Sequence, residues 1–155
     1  MIPLPRFVTF VPRATARWRP ALAGALALAA VAGAPVAGAA DEAVGGMDVV
    51  SLRDSGRTVG GDGSISTHWK GRDWIFANEA NRAAFEANPR AYAPGFGGNC
   101  PVKLSEGQKQ PGRPDLAIVV SGTLYLTSTA GARDRLAADP GIIAIAAEQW
   151  KRLGR

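Results

Sequence analysis

The chain of 155 residues holds a single cysteine, Cys100, and a single histidine, His68. One Cys closes no disulfide within the chain, and one Cys with one His falls short of the four ligands of a structural zinc site. There is no C-x-x-C pair, which excludes dithiol redox chemistry of that type, and no G-x-S-x-G elbow of the hydrolase kind. Acidic residues are missing altogether from residues 1–40. The apolar run Ala21–Ala34 has 14 residues and is rich in Ala and Gly, short of the ~20 strongly apolar residues of a membrane span.

The chain carries 18 Lys and Arg against 13 Asp and Glu, a formal charge of +5. Arg6, Arg13, Arg17 and Arg19 fall in the acid-free tract, and removing these four leaves 14 basic against 13 acidic residues in 41–155. The remainder is close to neutral, and no basic stripe interleaves with its aromatics. A nucleic-acid platform is therefore not expected. The order of basic residues, the apolar run, Pro35 and the small residues Val36–Ala40 is that of a secretory signal peptide, with cleavage expected after Ala39 or Ala40. Residues 1–40 are assigned to the signal and 41–155 to one domain with a modest core. No stable span is expected after cleavage, the alternative being an uncleaved anchor. Arg17 and Arg19 are separated by Trp18, so there is no twin-Arg pair. High Ala, Gly and Arg suggest a GC-rich bacterial source and hence a periplasmic destination.

Local signals then repeat. Asp41–Asp62 reads as a lead-in, with Met47–Leu52 as a short strand or turn and Gly60–Gly63 as a flexible loop. Ser64–Phe76 has strand composition with a turn at Lys70-Gly71. Asn78 is a good N-cap for a helix over Glu79–Ala87 anchored by Phe85, and Pro89 starts a short turn through Tyr92. Pro94–Gly98 is a Gly-rich loop, and Gly107–Asp115 a polar one. Ile118–Leu126 makes a second hairpin with a Ser121-Gly122 turn. Ser128 or Thr129 caps a helix over Ala130–Ala138. Asp139-Pro140 opens a last helix whose apolar face is Ile143, Ala146, Ala147 and Trp150. At an offset of 51 residues Gly71 meets Gly122, Trp74 meets Tyr125, Phe85 meets Leu136 and Asn88-Pro89 meets Asp139-Pro140. Hairpin then capped helix occurs twice, either as an internal pseudo-repeat or as common strand–turn–helix grammar. The expected fold is α+β, a small antiparallel sheet of hairpins with helices packed on one face.

Four stretches, in order, are spread across 46–153: GMDVVS, WKGRDWIFANEANRAAFEANPRAYAPGFGGNCP, SGTLYLTS and the terminal Trp150–Leu153. In these the chain resembles the secreted bacterial YHS-domain proteins. The resemblance implies a treble-clef-like module of metal-binding ancestry, without fixing a function. Metal-binding members use an Asp-Pro-Val-Cys-Gly-Met motif, then two Cys four residues apart after the aromatic strand. Here Asp48-Val49-Val50-Ser51 has no Cys, and Ala77 and Asn81 stand at the other two places. The family's upstream His falls near Thr67, one residue from His68. Cys100 matches a Cys that the secreted branch carries after its Gly-Gly.

Cys100 is the leading candidate residue, because a thiolate is a soft ligand suited to copper, iron or haem. His68 is the only conventional base near neutral pH and a second donor, and Met47 a thioether third. The expected activity is non-enzymatic: an exported accessory module that holds a metal ion, copper or another transition metal, or a metal-bearing cofactor through Cys100. The alternative is a ligand-free structural or interaction domain in which Cys100 is buried or joins a second copy or another periplasmic protein through a disulfide. A thiol-dependent enzyme is the third reading. It is disfavoured because Pro101 follows the Cys where a helix start would be wanted. Gly95, Gly97, Gly98 and Lys103 match neither phosphate-binding pattern, and a loop needing positive φ explains them.

Overall fold

The computed structural model describes residues 42–154. The signal-peptide assignment and its cleavage point lie outside the described residues. The fold is α+β, built from two separate two-stranded antiparallel sheets with helices packed against them. The single sheet expected from sequence is thus two hairpins that do not pair with each other.

Each half runs through the same order of elements. A left-handed 3-10 hook, Ala43–Gly46, leads into α1 (Val49–Ser55), then β1 (Asp62–Trp69), β2 (Arg72–Phe76), α2 (Glu79–Ala87) and α3 (Pro89–Tyr92). A second hook, Gly95–Gly98, leads into α4 (Pro101–Ser105), β3 (Arg113–Val120), β4 (Thr123–Thr127), α5 (Ala130–Ala138) and α6 (Ile142–Arg152). The hairpins share register and irregularity: Ser66 faces Ile75 and Ala117 faces Leu126, each with a shift toward the open end. Both turns have two residues at positive φ, Lys70-Gly71 at 51° and 74° and Ser121-Gly122 at 51° and 78°. That is the primed-turn geometry whose twist matches paired strands, and Gly at the second place meets it without a Cβ penalty. The hooks correspond as well, with Val44-Gly45 at φ 56° and 60° and Phe96-Gly97 at 54° and 61°. Asn78 and Thr129 cap α2 and α5 by accepting from the N–H three residues on, at 2.9 and 3.1 Å.

Three local expectations are corrected. Met47–Leu52 is not a strand or turn, because Asp48 caps α1 and Val49, Val50 and Leu52 bury one face of it, which overrides their β preference. Cys100-Pro101 is a helix start: Pro101 occupies N1 of α4, where its missing N–H costs nothing and its φ is already helical. The last helix begins at Ile142, not at Pro140, since Asp139 Oδ1 accepts from Gly141 N–H at 2.9 Å in a turn before it.

One core cluster contains Val49, Leu52, Trp74, Phe76 and Phe85 from the first half with Leu124 and Leu126 from the second. The halves therefore share a core and cannot separate without exposing it. A second cluster, Val102, Tyr125, Ala132, Leu136, Ile142 and Cys100, comes from the second half alone. α6 closes over it through its packing on α4, burying Ile142 and Ala146 and leaving Ile145 exposed.

Candidate functional site

Cys100 sits at the N-cap of α4 with extended backbone. Its N–H donates to the Gln110 carbonyl at 2.8 Å and its carbonyl accepts from Leu104 N–H at 2.9 Å. Its side chain makes no capping bond. The thiol is free and the residue is 0 % exposed. Sulfur here behaves as a small apolar group among aliphatic side chains and one Tyr ring. Nucleophilic or ligand chemistry needs a reachable thiolate, and this packing offers no path to one.

His68 lies in another setting. Its side chain is 68 % exposed, and Nδ1 is 2.7 Å from Oδ1 of its cross-strand partner Asp73. Such an exposed pair contributes about 0–1 kcal/mol. Met47 bridges to Gly60 and is half-buried against the first core cluster. The three residues named from sequence thus occupy three environments: a sealed core, a strand surface and the edge of a different core. Among the described residues no group of three or more His, Cys, Asp or Glu is placed to hold a metal ion.

A buried polar clasp went unrecognised in the sequence. Asp48 is 0 % exposed, and each carboxylate oxygen is doubly engaged. Oδ1 accepts from the Val50 and Ser51 N–H groups at 2.9 and 3.1 Å. Oδ2 accepts from Ala77 N–H at 2.8 Å and Asn81 Nδ2 at 2.6 Å, and the same Asn81 amide donates to Ser51 Oγ at 3.1 Å. The clasp ties α1 to the end of β2 and the first turn of α2. Ser51, Ala77 and Asn81, the places where the resemblance would put thiolates, therefore meet around one carboxylate.

Cys100 is the counterpart of Asp48 in the second half. Each precedes the short helix and follows the hook, and Asp48 N–H donates to Val59 as Cys100 N–H donates to Gln110, both at 2.8 Å. Around the hooks the offset is 52, not 51, because the first half is one residue longer between its hook and β1 than the second half is between its hook and β3. That single step hid the correspondence of Gly46-Met47-Asp48 with Gly98-Asn99-Cys100.

A cavity of about 720 Å³ opens between the hooks. Val44 and Gly45 line it from one, Gly97 and Gly98 from the other, with Trp69 and Trp74 as its aromatic wall and Lys70, Arg72 and Glu42 as its charges. Trp74 Nε1 donates to the Trp69 carbonyl at 3.0 Å, which fixes that wall. Cys100, His68 and Met47 do not line it. Trp74 is buried in the first core cluster, and Trp69 is half-buried and shared between core and cavity.

Comparison with protein-family models, curated proteins and solved structures returned no match to this chain. Among the described residues no helix is long and apolar enough to cross a membrane.

Proposed function

We propose that this is an exported, non-enzymatic YHS-type module that works as a structural or interaction domain, with Cys100 as a core residue and no metal held through it. The observation that carries this reading is the complete burial of Cys100 in an apolar cluster, away from the other candidate donors. The absence of a His, Cys, Asp or Glu cluster among the described residues supports it further. Kinship with the treble-clef-like YHS modules rests on the sequence resemblance, and the hydrogen bonds that join Ser51, Ala77 and Asn81 to Asp48 support it by bringing the three corresponding positions to one place. The doubled hook–helix–hairpin–helix unit is read as an internal duplication of that module. Export to the periplasm rests on the character of residues 1–40.

The test is thiol labelling and metal titration of the full chain beside a Cys100→Ser variant. The native thiol is expected to resist an aromatic disulfide reagent and to react stoichiometrically in guanidinium. Cu(I), Zn²⁺ and haem are expected to show no binding that depends on Cys100. Rapid native labelling, or one equivalent of metal lost in the variant, overturns the reading. Kinship is tested separately by the triple variant Ser51→Cys, Ala77→Cys, Asn81→Cys, which is expected to acquire Zn²⁺ binding. A folded triple variant without it refutes the kinship.

A further inference from the structure

We propose that the cavity between the two hooks binds a small organic anion with a flat apolar body, its charge held by Lys70 and Arg72 and its body laid against Trp69. The volume of about 720 Å³ is that of a small-molecule site, which typically spans 300–1,000 Å³. The aromatic wall is prearranged. Trp69 packs edge-on against Trp74 and Phe85, with ring centroids 5.7 and 5.8 Å away, so its orientation does not have to be organised when a ligand arrives. The cations are gathered on that one residue. Lys70 Nζ stands 4.5 Å from the Trp69 ring centroid, and Arg72 is the cross-strand partner of Trp69. The tight turn at Lys70-Gly71 holds both cations within three residues of the indole.

Neither cation is satisfied by a carboxylate. Among the described residues Lys70 and Arg72 take part in no ion pair, whereas Arg53, Arg82, Lys103, Arg113 and Arg135 each have an acidic partner within 4 Å. Glu42 is the one acidic residue of the lining, so the cavity carries a single positive excess. A monoanion balances it, and a carboxylate or sulfonate accepts from ammonium and guanidinium together. Gly45, Gly97 and Gly98 of the hooks contribute only backbone to the lining, beside the apolar side chains of Val44, Pro114 and Leu126. The proposal stands apart from the reading above, because Cys100 does not line the cavity.

The probe is 8-anilino-1-naphthalenesulfonate, titrated by fluorescence into the full chain. Saturable binding at one site per chain is expected. The double variant Lys70→Gln, Arg72→Gln is expected to weaken it at least tenfold, and the exposed single change Arg72→Gln at least threefold. Urea unfolding confirms that each variant keeps its fold, and the single change carries the test if the double variant does not. Lys109→Gln removes a cation that also faces a tryptophan, Trp150 at 5.1 Å, but outside the cavity, and is expected to leave the affinity within twofold. Cys100→Ser is expected to do the same. The uncharged N-phenyl-1-naphthylamine is expected to bind at least tenfold more weakly. No saturable binding, an unchanged affinity in folded Arg72→Gln, or equal affinity for the uncharged probe each overturns the proposal.

Discussion

Asp48→Ala isolates the polar clasp, and its cost follows from the groups it strands. Losing the acceptor for Val50 and Ser51 N–H is the loss of a helix N-cap, about 0.5–2 kcal/mol. Ala77 N–H and the Asn81 amide are left without their acceptor in a part-buried setting, at about 1–3 kcal/mol each. The groups act together and water relieves some of the loss, so the whole is about 3–5 kcal/mol rather than the sum of the extremes. With a urea slope of about 1–3 kcal/mol/M, the unfolding midpoint moves down by roughly 2 M. Cys100→Ala is the matched control. It alters the same place in the second half, where the side chain makes no capping bond, and costs only the packing of one buried atom, about 1 kcal/mol. Urea unfolding followed by tryptophan fluorescence and far-UV circular dichroism reads both. If Asp48→Ala shifts the midpoint no further than Cys100→Ala, the clasp is not what joins α1 to β2 and α2, and the reasoning fails.

Close approaches and a charge cluster supply further tests. A Cβ at Gly61 would press on the Ile75 backbone and one at Gly112 on the Leu126 carbonyl, whereas Gly63 has open space. Gly61→Ala and Gly112→Ala are therefore expected to cost about 1–3 kcal/mol each and Gly63→Ala little, read as shifts in the thermal midpoint. Glu106 accepts from Lys103 at 2.9 Å and from Arg135 at 3.0 Å, tying α4 to α5. The hydrogen bond from Lys103, then that from Arg135, holds its carboxyl below the ordinary glutamate range. A lowered folded value means stabilisation that is present above that range and lost as pH falls through the lowered value. Wild type is expected to exceed Glu106→Gln in stability at neutral pH, with the gap closing in acid. A gap unchanged down to pH 2 refutes the assignment.

How much was legible beforehand depended on the range of the signal. The extents of α2 and α5 and the two hairpin turns could be read from residues a few places apart. Asn78 and Thr129 lie next to the helices they cap, and Lys70-Gly71 and Ser121-Gly122 lie between the strands they join. The candidate site was legible only as a residue type. Cys100 is a soft ligand on paper, but whether a thiol meets solvent or an apolar cluster depends on Tyr125, Ala132, Leu136 and Ile142, which lie 25 or more residues away. His68 and Met47 were plausible co-ligands until their places in the fold were known.

Composition and local chemistry by themselves determined the α+β class, the doubled hairpin–helix order, the near-neutral charge of residues 41–155 and the poverty of metal donors. These depend on counts and on neighbours along the chain. Tertiary structure alone decided that the hairpins stay separate, that Asp48 gathers Ser51, Ala77 and Asn81, that Cys100 is sealed, and that two hooks 52 residues apart enclose a cavity. Those outcomes turn on side chains remote in sequence competing for the same space, and no short window of the chain contains both competitors.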